Sequence, residues 1–197
     1  MNILIINGSL GGKDGNTSVL IKTAINDLAK HAVNTKTLHL EERIEKEESN
    51  ELENILSWAD GFIFTSGTYW DSWGSPMQKF LEQTTKYEAS NLFLFKPASV
   101  MITMHSFGGK EVLSRLQGVL NTIGMIIPPM SGLVYSLSNH LAINSKEESK
   151  GEDNFNDDFW SLDDIEVTTH NLITAVNGKK NFKSWPVDRK DPKRRWL

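Results

Sequence analysis

The stretch Asn2-Ile3-Leu4-Ile5-Ile6-Asn7-Gly8-Ser9-Leu10-Gly11-Gly12-Lys13-Asp14-Gly15-Asn16-Thr17-Ser18 carries a strand directly into an anion-binding turn. A continuous β-branched apolar run marks a strand buried on both faces of a parallel sheet, and the glycine- and hydroxyl-rich segment after it opens a helix. A nucleotide-hydrolysing loop places Ser or Thr after its lysine to hold magnesium, whereas Asp14 follows Lys13 here. A dinucleotide fingerprint needs its second glycine two residues after the first, and that position is Leu10. What remains is Ser9 at one end and Asn16, Thr17 and Ser18 at the other. Such a ring of side-chain donors and backbone amides around a helix N-terminus suits a single terminal monophosphate. The plainer alternative is a strand-to-helix turn capped by Thr17 or Ser18, which explains one hydroxyl and not the cluster.

Working outward, apolar runs alternate with helical patterns, which predicts a parallel sheet covered by helices on both sides. Apolar spacing predicts a helix over 17–30, a polar edge strand over 35–40, a helix around 52–58 and a strand over 61–66. A helix over 76–86 follows, with Pro76 in its first turn, then a strand over 98–104 and a helix over 109–123. Met125-Ile126-Ile127 is expected to begin the fifth strand, at an edge or an early bend, because Pro128-Pro129 interrupts it. A last helix is expected over 161–176. The 197 residues fit one domain, 1–197, with 146–158 as an exposed connection and 179–197 as a basic aromatic tail.

Composition excludes several chemistries. With no cysteine, the chain has no disulfide, thiolate metal site, iron-sulfur cluster or thiol nucleophile. His31, His39 and His170 stand apart from other ligand types, so no metal site is expected. A strand begins at residue 2 without a charged leader, and no apolar run reaches the roughly 18 residues of a membrane span, so a soluble cytoplasmic protein is expected. The net charge of −4 conceals a basic stretch from Lys179 to Arg195. Trp185, Pro186 and Trp196 interrupt that stretch, which fits packing on a neighbouring subunit better than nucleic-acid binding and makes a homodimer the expectation.

Open α/β sheets bind ligands beyond the carboxyl ends of their strands. Three loops there carry unusual residues: the Ser9–Ser18 turn, the aromatic segment Gly67-Thr68-Tyr69-Trp70-Asp71-Ser72-Trp73-Gly74-Ser75, and His105-Ser106-Phe107-Gly108-Gly109. A phosphate socket, an aromatic shelf and a set of amide donors match the parts of flavin mononucleotide (FMN).

On Gly8-Ser9 with Gly15-Asn16-Thr17, on Tyr69-Trp70-Asp71-Ser72 with Pro76-Met77-Gln78-Lys79-Phe80-Leu81, and on Ser106-Phe107-Gly108-Gly109, residues 1 to 135 resemble the flavodoxin-like NAD(P)H-dependent FMN and quinone reductases. The resemblance implies a flavodoxin-like three-layer α/β/α sandwich with a five-stranded parallel sheet in the order 2-1-3-4-5. It implies that Ser9, Asn16, Thr17 and Ser18 hold the FMN phosphate. Lys13 supplies the charge for which the family often uses an arginine in this loop, and Gly67-Thr68 stands where it often has a proline before the tyrosine. Thr68, Tyr69, Trp70 and Asp71 would border the flavin ring, and His105, Ser106, Phe107, Gly108 and Gly109 would sit at its pyrimidine edge.

The implied reaction passes hydride from NADPH or NADH through FMN to a small acceptor such as a quinone or free flavin. No side chain has to act as a catalytic proton donor; His105 and Tyr69 could place or protonate an acceptor oxygen, and the plainer alternative for each is a structural hydrogen bond. Two other readings stand beside it. One is a flavin electron carrier or binding module, against which the single acid Asp71 in the aromatic loop counts, because carriers are acidic around the ring. The other is a serine hydrolase using Ser106 with His140 or His170, in which Met104 stands where a nucleophile elbow needs glycine.

Overall fold

A computed structural model describes residues 1–43, 49–136, 138, 139 and 161–178. Five parallel strands, β1 (Asn2–Asn7), β2 (Asn34–His39), β3 (Gly61–Gly67), β4 (Ala98–Met104) and β5 (Gly132–Ser136), form one sheet in the order 2-1-3-4-5, as expected. The helices are α1 (Thr17–Lys30), α2 (Ser49–Trp58), α3 (Ser75–Thr84), α4 (Gly109–Thr122) and α5 (Ile165–Val176). The segment 146–158, the tail 179–197, and with them His140, Trp185 and Trp196, lie outside the described residues.

Strand alternation divides the core into two. Leu4, Ile6, Phe62, Phe64, Val100 and Ile102 face one side, against Leu56 of α2, Met77 and Phe80 of α3, and Val112 and Leu116 of α4. Ile3, Ile5, Ile63, Met101 and Leu133 face the other, against Leu20, Ala24 and Leu28 of α1 and Ile165 and Leu172 of α5. Every residue of β3 is buried, as an inner strand between two helical layers requires. The polar strand β2 is an edge, as its sequence predicts.

The fifth strand is where the sequence reading needs correction. Met125-Ile126-Ile127 is not its start: Ile126 makes only an isolated parallel bridge to Pro97, with Ala98 N donating to Ile126 O at 2.8 Å. Pro128 and Pro129 have no amide hydrogen to continue a ladder. The chain therefore turns, passes Met130 at φ 51°, and re-enters as β5, where Val100 pairs with Gly132 and Thr103 with Tyr135.

α5 is preceded by a single 3-10 turn, Leu162–Asp164, that Ser161 closes with a capping box. It is tied to α1 by the Thr169 hydroxyl donating to the buried Asp27 carboxylate, whose other oxygen accepts from Lys30 Nζ at 3.1 Å. Phe62 anchors the opposite layer, with its ring centre 6.0 Å from that of Phe64 and 5.9 Å from that of Phe93. Phe62→Ala is expected to cost about 3–5 kcal/mol of unfolding free energy, measured by urea denaturation.

Candidate functional site

β1 ends on Asn7, a polar side chain with no solvent exposure. Its Oδ1 accepts from Ser9 N at 3.1 Å, from Thr17 Oγ1 at 3.1 Å and from Thr65 Oγ1 at 3.3 Å. Its Nδ2 donates to Gly12 O at 2.9 Å and lies 3.1 Å from His39 Nδ1. An amide hydrogen can only donate and a carbonyl can only accept, so Ser9 N and Gly12 O fix which way the Asn7 amide points. With Nδ2 as donor, His39 Nδ1 is the acceptor of that pair. One side chain thus joins β1, β2, β3, the first loop and the start of α1.

The loop it holds is tight. A Cβ on Gly11 would stand 2.7 Å from Gly15 Cα, so the two glycines let the loop close on itself around the 3-10 turn Gly12–Asp14. Lys13 projects outward, its amide donating to Glu41 Oε1 at 3.2 Å and its ammonium lying 3.6 Å from Glu42 Oε1, an exposed pair of small energetic weight. α1 opens after Asn16 with no side-chain cap, and neither Thr17 nor Ser18 serves as one. Thr17 is fully buried and spends its hydroxyl on Asn7. α3 opens after Gly74 and α4 after Gly108, again without side-chain caps. Three helix N-termini therefore face the C-terminal rim of the sheet without a side-chain cap, although at α3 the Gly74 amide donates to Ser66 Oγ at 3.0 Å and Pro76 has none. A helix N-terminus is a favourable field for an anion or a developing negative charge.

The second loop is a hairpin. Tyr69 and Ser72 exchange backbone hydrogen bonds of 2.8 and 3.0 Å across Trp70 and Asp71, both in the left-handed region at φ 49° and 58°. For two non-glycine residues this costs about 1 kcal/mol or more each, least for Asp71. Trp70 stands 99% exposed at the tip. α4 braces the turn: Arg115 Nη1 donates to Asp71 O at 3.2 Å and its guanidinium lies 5.1 Å from the Trp73 ring centre. At the base, Thr68 donates to Thr103 O through N at 2.8 Å and Oγ1 at 3.1 Å. In the third loop Gly108 adopts φ 83° against the hairpin, where any Cβ would lie 2.1 Å from Asp71 Oδ1. The His105 carbonyl accepts from the Ser136 hydroxyl at 3.3 Å and from that of Ser138.

Between the loops lies an open cleft of about 280 Å³. Of the residues expected from sequence, Ser9, Asn16, Thr68, Tyr69 and His105 line it. Lys13, Thr17, Ser18, Trp70, Asp71, Ser106, Phe107, Gly108 and Gly109 do not; Ser106 and Phe107 are exposed on the rim, and Gly109 is buried at the start of α4. The lining also holds Gly11, Gly15 and Gly67, which lie in the loops quoted from sequence without being given a binding role, Met104, which entered only the hydrolase reading, and Val19, Thr103 and Tyr135, which sequence reasoning did not single out for the site. Tyr135 was missed because it belongs to the displaced β5, and burial pushes its phenol pKa up, keeping it a neutral hydroxyl. Among the described residues, no Asp, Glu, Lys or Arg lines the cleft.

The model of the NADPH-dependent FMN reductase family matches residues 1–139. The chain belongs to that family. Its similarity to the curated NAD(P)H dehydrogenase (quinone) of Chelativorans sp. (strain BNC1) is 40% identity over 74 residues, 36% of this chain and 37% of that protein, so the match spans little more than a third of the relative's length. Among solved structures, RosB with bound 8-demethyl-8-formylriboflavin-5'-phosphate superposes with a TM-score of 0.69 at 14% identity, over 100% of this chain and 95% of that one. The apo NADH:FMN oxidoreductase EMOB gives a TM-score of 0.63 at 18% identity, over 98% and 93%. The flavodoxin-like WrbA-like protein of Agrobacterium tumefaciens gives 0.59 at 14%, over 91% and 98%. At these identities the likeness is one of fold, and the fold is flavodoxin-like. Within this FMN reductase family chain, Asn7→Ala would orphan the buried groups it joins; it is expected to cost about 2–4 kcal/mol of stability in urea denaturation.

Proposed function

We propose that this chain is an oxidoreductase that binds FMN in the cleft and uses it to pass reducing equivalents from NADPH or NADH to a small acceptor of the quinone or flavin type. The observation that carries the reading is the tight, Asn7-held loop before an uncapped α1, placed beside a cleft that hydroxyls, an amide side chain and an imidazole line. A phosphate monoester is well served by hydroxyls, amides and a helix dipole without a cation. The Ser9 hydroxyl, the Asn16 side chain and the amides of Asn16 and Thr17 at the start of α1 would hold it, because the amides of residues 10–15 already donate within the protein. Leu10 N donates to the Tyr69 hydroxyl, Gly11 N to Ser9 Oγ, Lys13 N to Glu41, and those of Gly12, Asp14 and Gly15 to carbonyls of the loop itself.

Thr68, Thr103, Met104 and Tyr135 would flank the ring, and His105 with the amides at the start of α4 would face its polar edge. When bound, FMN supplies the hydride chemistry. The protein's part is to bind, orient and stabilise: the N-terminus of α4, left without a side-chain cap at Gly108, favours negative charge at the ring edge facing it. The exposed Leu10, Trp70 and Phe107 leave the rim apolar, which suits a planar visitor over a protein partner of opposite charge and favours the reductase over a one-electron carrier. Family membership favours it over a hydrolase built on Ser106. A homodimer and a cytoplasmic location complete the proposal; among the described residues no helix is long and apolar enough to cross a membrane.

The test is anaerobic titration of the purified protein with FMN, followed by NADH or NADPH and then a quinone. Bound flavin absorbance that bleaches with nicotinamide and returns with quinone is expected. Bound flavin that only one-electron donors bleach would favour the carrier, and absence of flavin binding would overturn both readings.

A further inference from the structure

The tyrosine of the aromatic hairpin does not reach toward a ring shelf. Tyr69 is pulled back into the first loop, with its hydroxyl 3.2 Å from Leu10 N and 3.3 Å from Ser9 Oγ. Its ring is seated on backbone that has no room for side chains: a Cβ on Gly67 would meet the ring and hydroxyl at 3.0–3.2 Å, and one on Gly74 would stand 3.3 Å from Tyr69 Cε2. The hairpin hydrogen bonds between Tyr69 and Ser72 fix its backbone. Tyr69, Ser9, Gly11, Gly15 and Asn16 line the same end of one cleft.

Proton accounting gives this placement a chemical meaning. Leu10 N–H donates to the phenol oxygen, and Gly11 N donates to Ser9 Oγ at 3.4 Å. The two hydroxyls hold two protons and need one of them for the bond between themselves. The second is left to point into the cleft, beside the uncapped start of α1. An anion there would accept it, whereas a neutral ligand gains much less, because hydrogen bonds to charged groups are the stronger kind.

The geometry points to Tyr69 as a phosphate-end ligand, a specificity-determining residue that makes the cleft prefer the phosphorylated flavin to its dephosphorylated form. This rests on the FMN reading above and deepens it. The Tyr69 hydroxyl donates to the phosphate group while accepting the proton of Ser9, so that Ser9 supports the contact through Tyr69.

The experiment compares FMN and riboflavin binding, by calorimetry or flavin fluorescence, to the wild-type chain, to Tyr69→Phe and to Ser9→Ala. Wild type is expected to prefer FMN, and Tyr69→Phe is expected to weaken FMN binding by about 10-fold while leaving riboflavin affinity unchanged, with Ser9→Ala changing the same ratio in the same direction. Retained riboflavin binding by Tyr69→Phe shows that the cleft is intact in that variant. An unchanged FMN-to-riboflavin ratio in Tyr69→Phe, or an equal loss for both ligands, would overturn the assignment of Tyr69 while leaving the FMN reading standing. Failure of the wild-type chain to bind FMN at all would overturn that reading, and the assignment with it.

Discussion

The site depends on the buried carboxamide of Asn7. Its oxygen gathers Ser9 N, Thr17 Oγ1 and Thr65 Oγ1, and its nitrogen holds Gly12 O beside His39. A side chain with two kinds of polar atom is needed because the groups around it are of two kinds; a carboxylate could not donate to Gly12 O, and a hydroxyl could not span the distance to all of them. In the low dielectric of the interior such a network is either satisfied or costly, so it sets the loop in one shape before any ligand arrives. That order is what a set of individually weak hydroxyl and amide donors needs to be useful.

Preorganisation also explains where the molecule tolerates unfavourable backbone. Trp70 and Asp71 occupy left-handed conformations that asparagine and glycine would adopt more cheaply, and Arg115, Gly108 and the paired backbone of Tyr69 and Ser72 hold them there. The turn draws Tyr69 inward and leaves Trp70 outside. The same hairpin therefore presents its phenol to the first loop, at Ser9 and Leu10, and its indole to solvent.

The layer order was legible because periodicity and burial agree. The apolar runs over 2–7, 61–67 and 98–104 are inner strands, the polar run over 34–39 is an edge, and the helices between them present apolar faces at the expected spacing. The fifth strand was misplaced because Met125-Ile126-Ile127 is the more apolar stretch, while the true strand, Gly132-Leu133-Val134-Tyr135-Ser136, has a three-residue apolar centre between Gly and Ser. Register with β4, a non-local property, decided between them. The first loop was recognised as a loop, but which way its hydroxyls turn depends on tertiary partners: Thr17 faces Asn7 and Ser9 faces Tyr69, 60 residues away. Asn7 itself passed as the end of an apolar strand, although a polar residue closing such a run just before Gly8-Ser9 was the signal that it had a buried task.

The most direct test of a loop set by Asn7 to receive a phosphate monoester is a structure of the wild-type chain bound to FMN. The phosphate is expected within hydrogen-bonding reach of Ser9, Tyr69 and the start of α1 at Asn16 and Thr17, with the Asn7 hydrogen bonds unchanged. A phosphate bound elsewhere on the molecule, or a first loop that had to abandon Asn7 to accommodate it, would contradict the central claim.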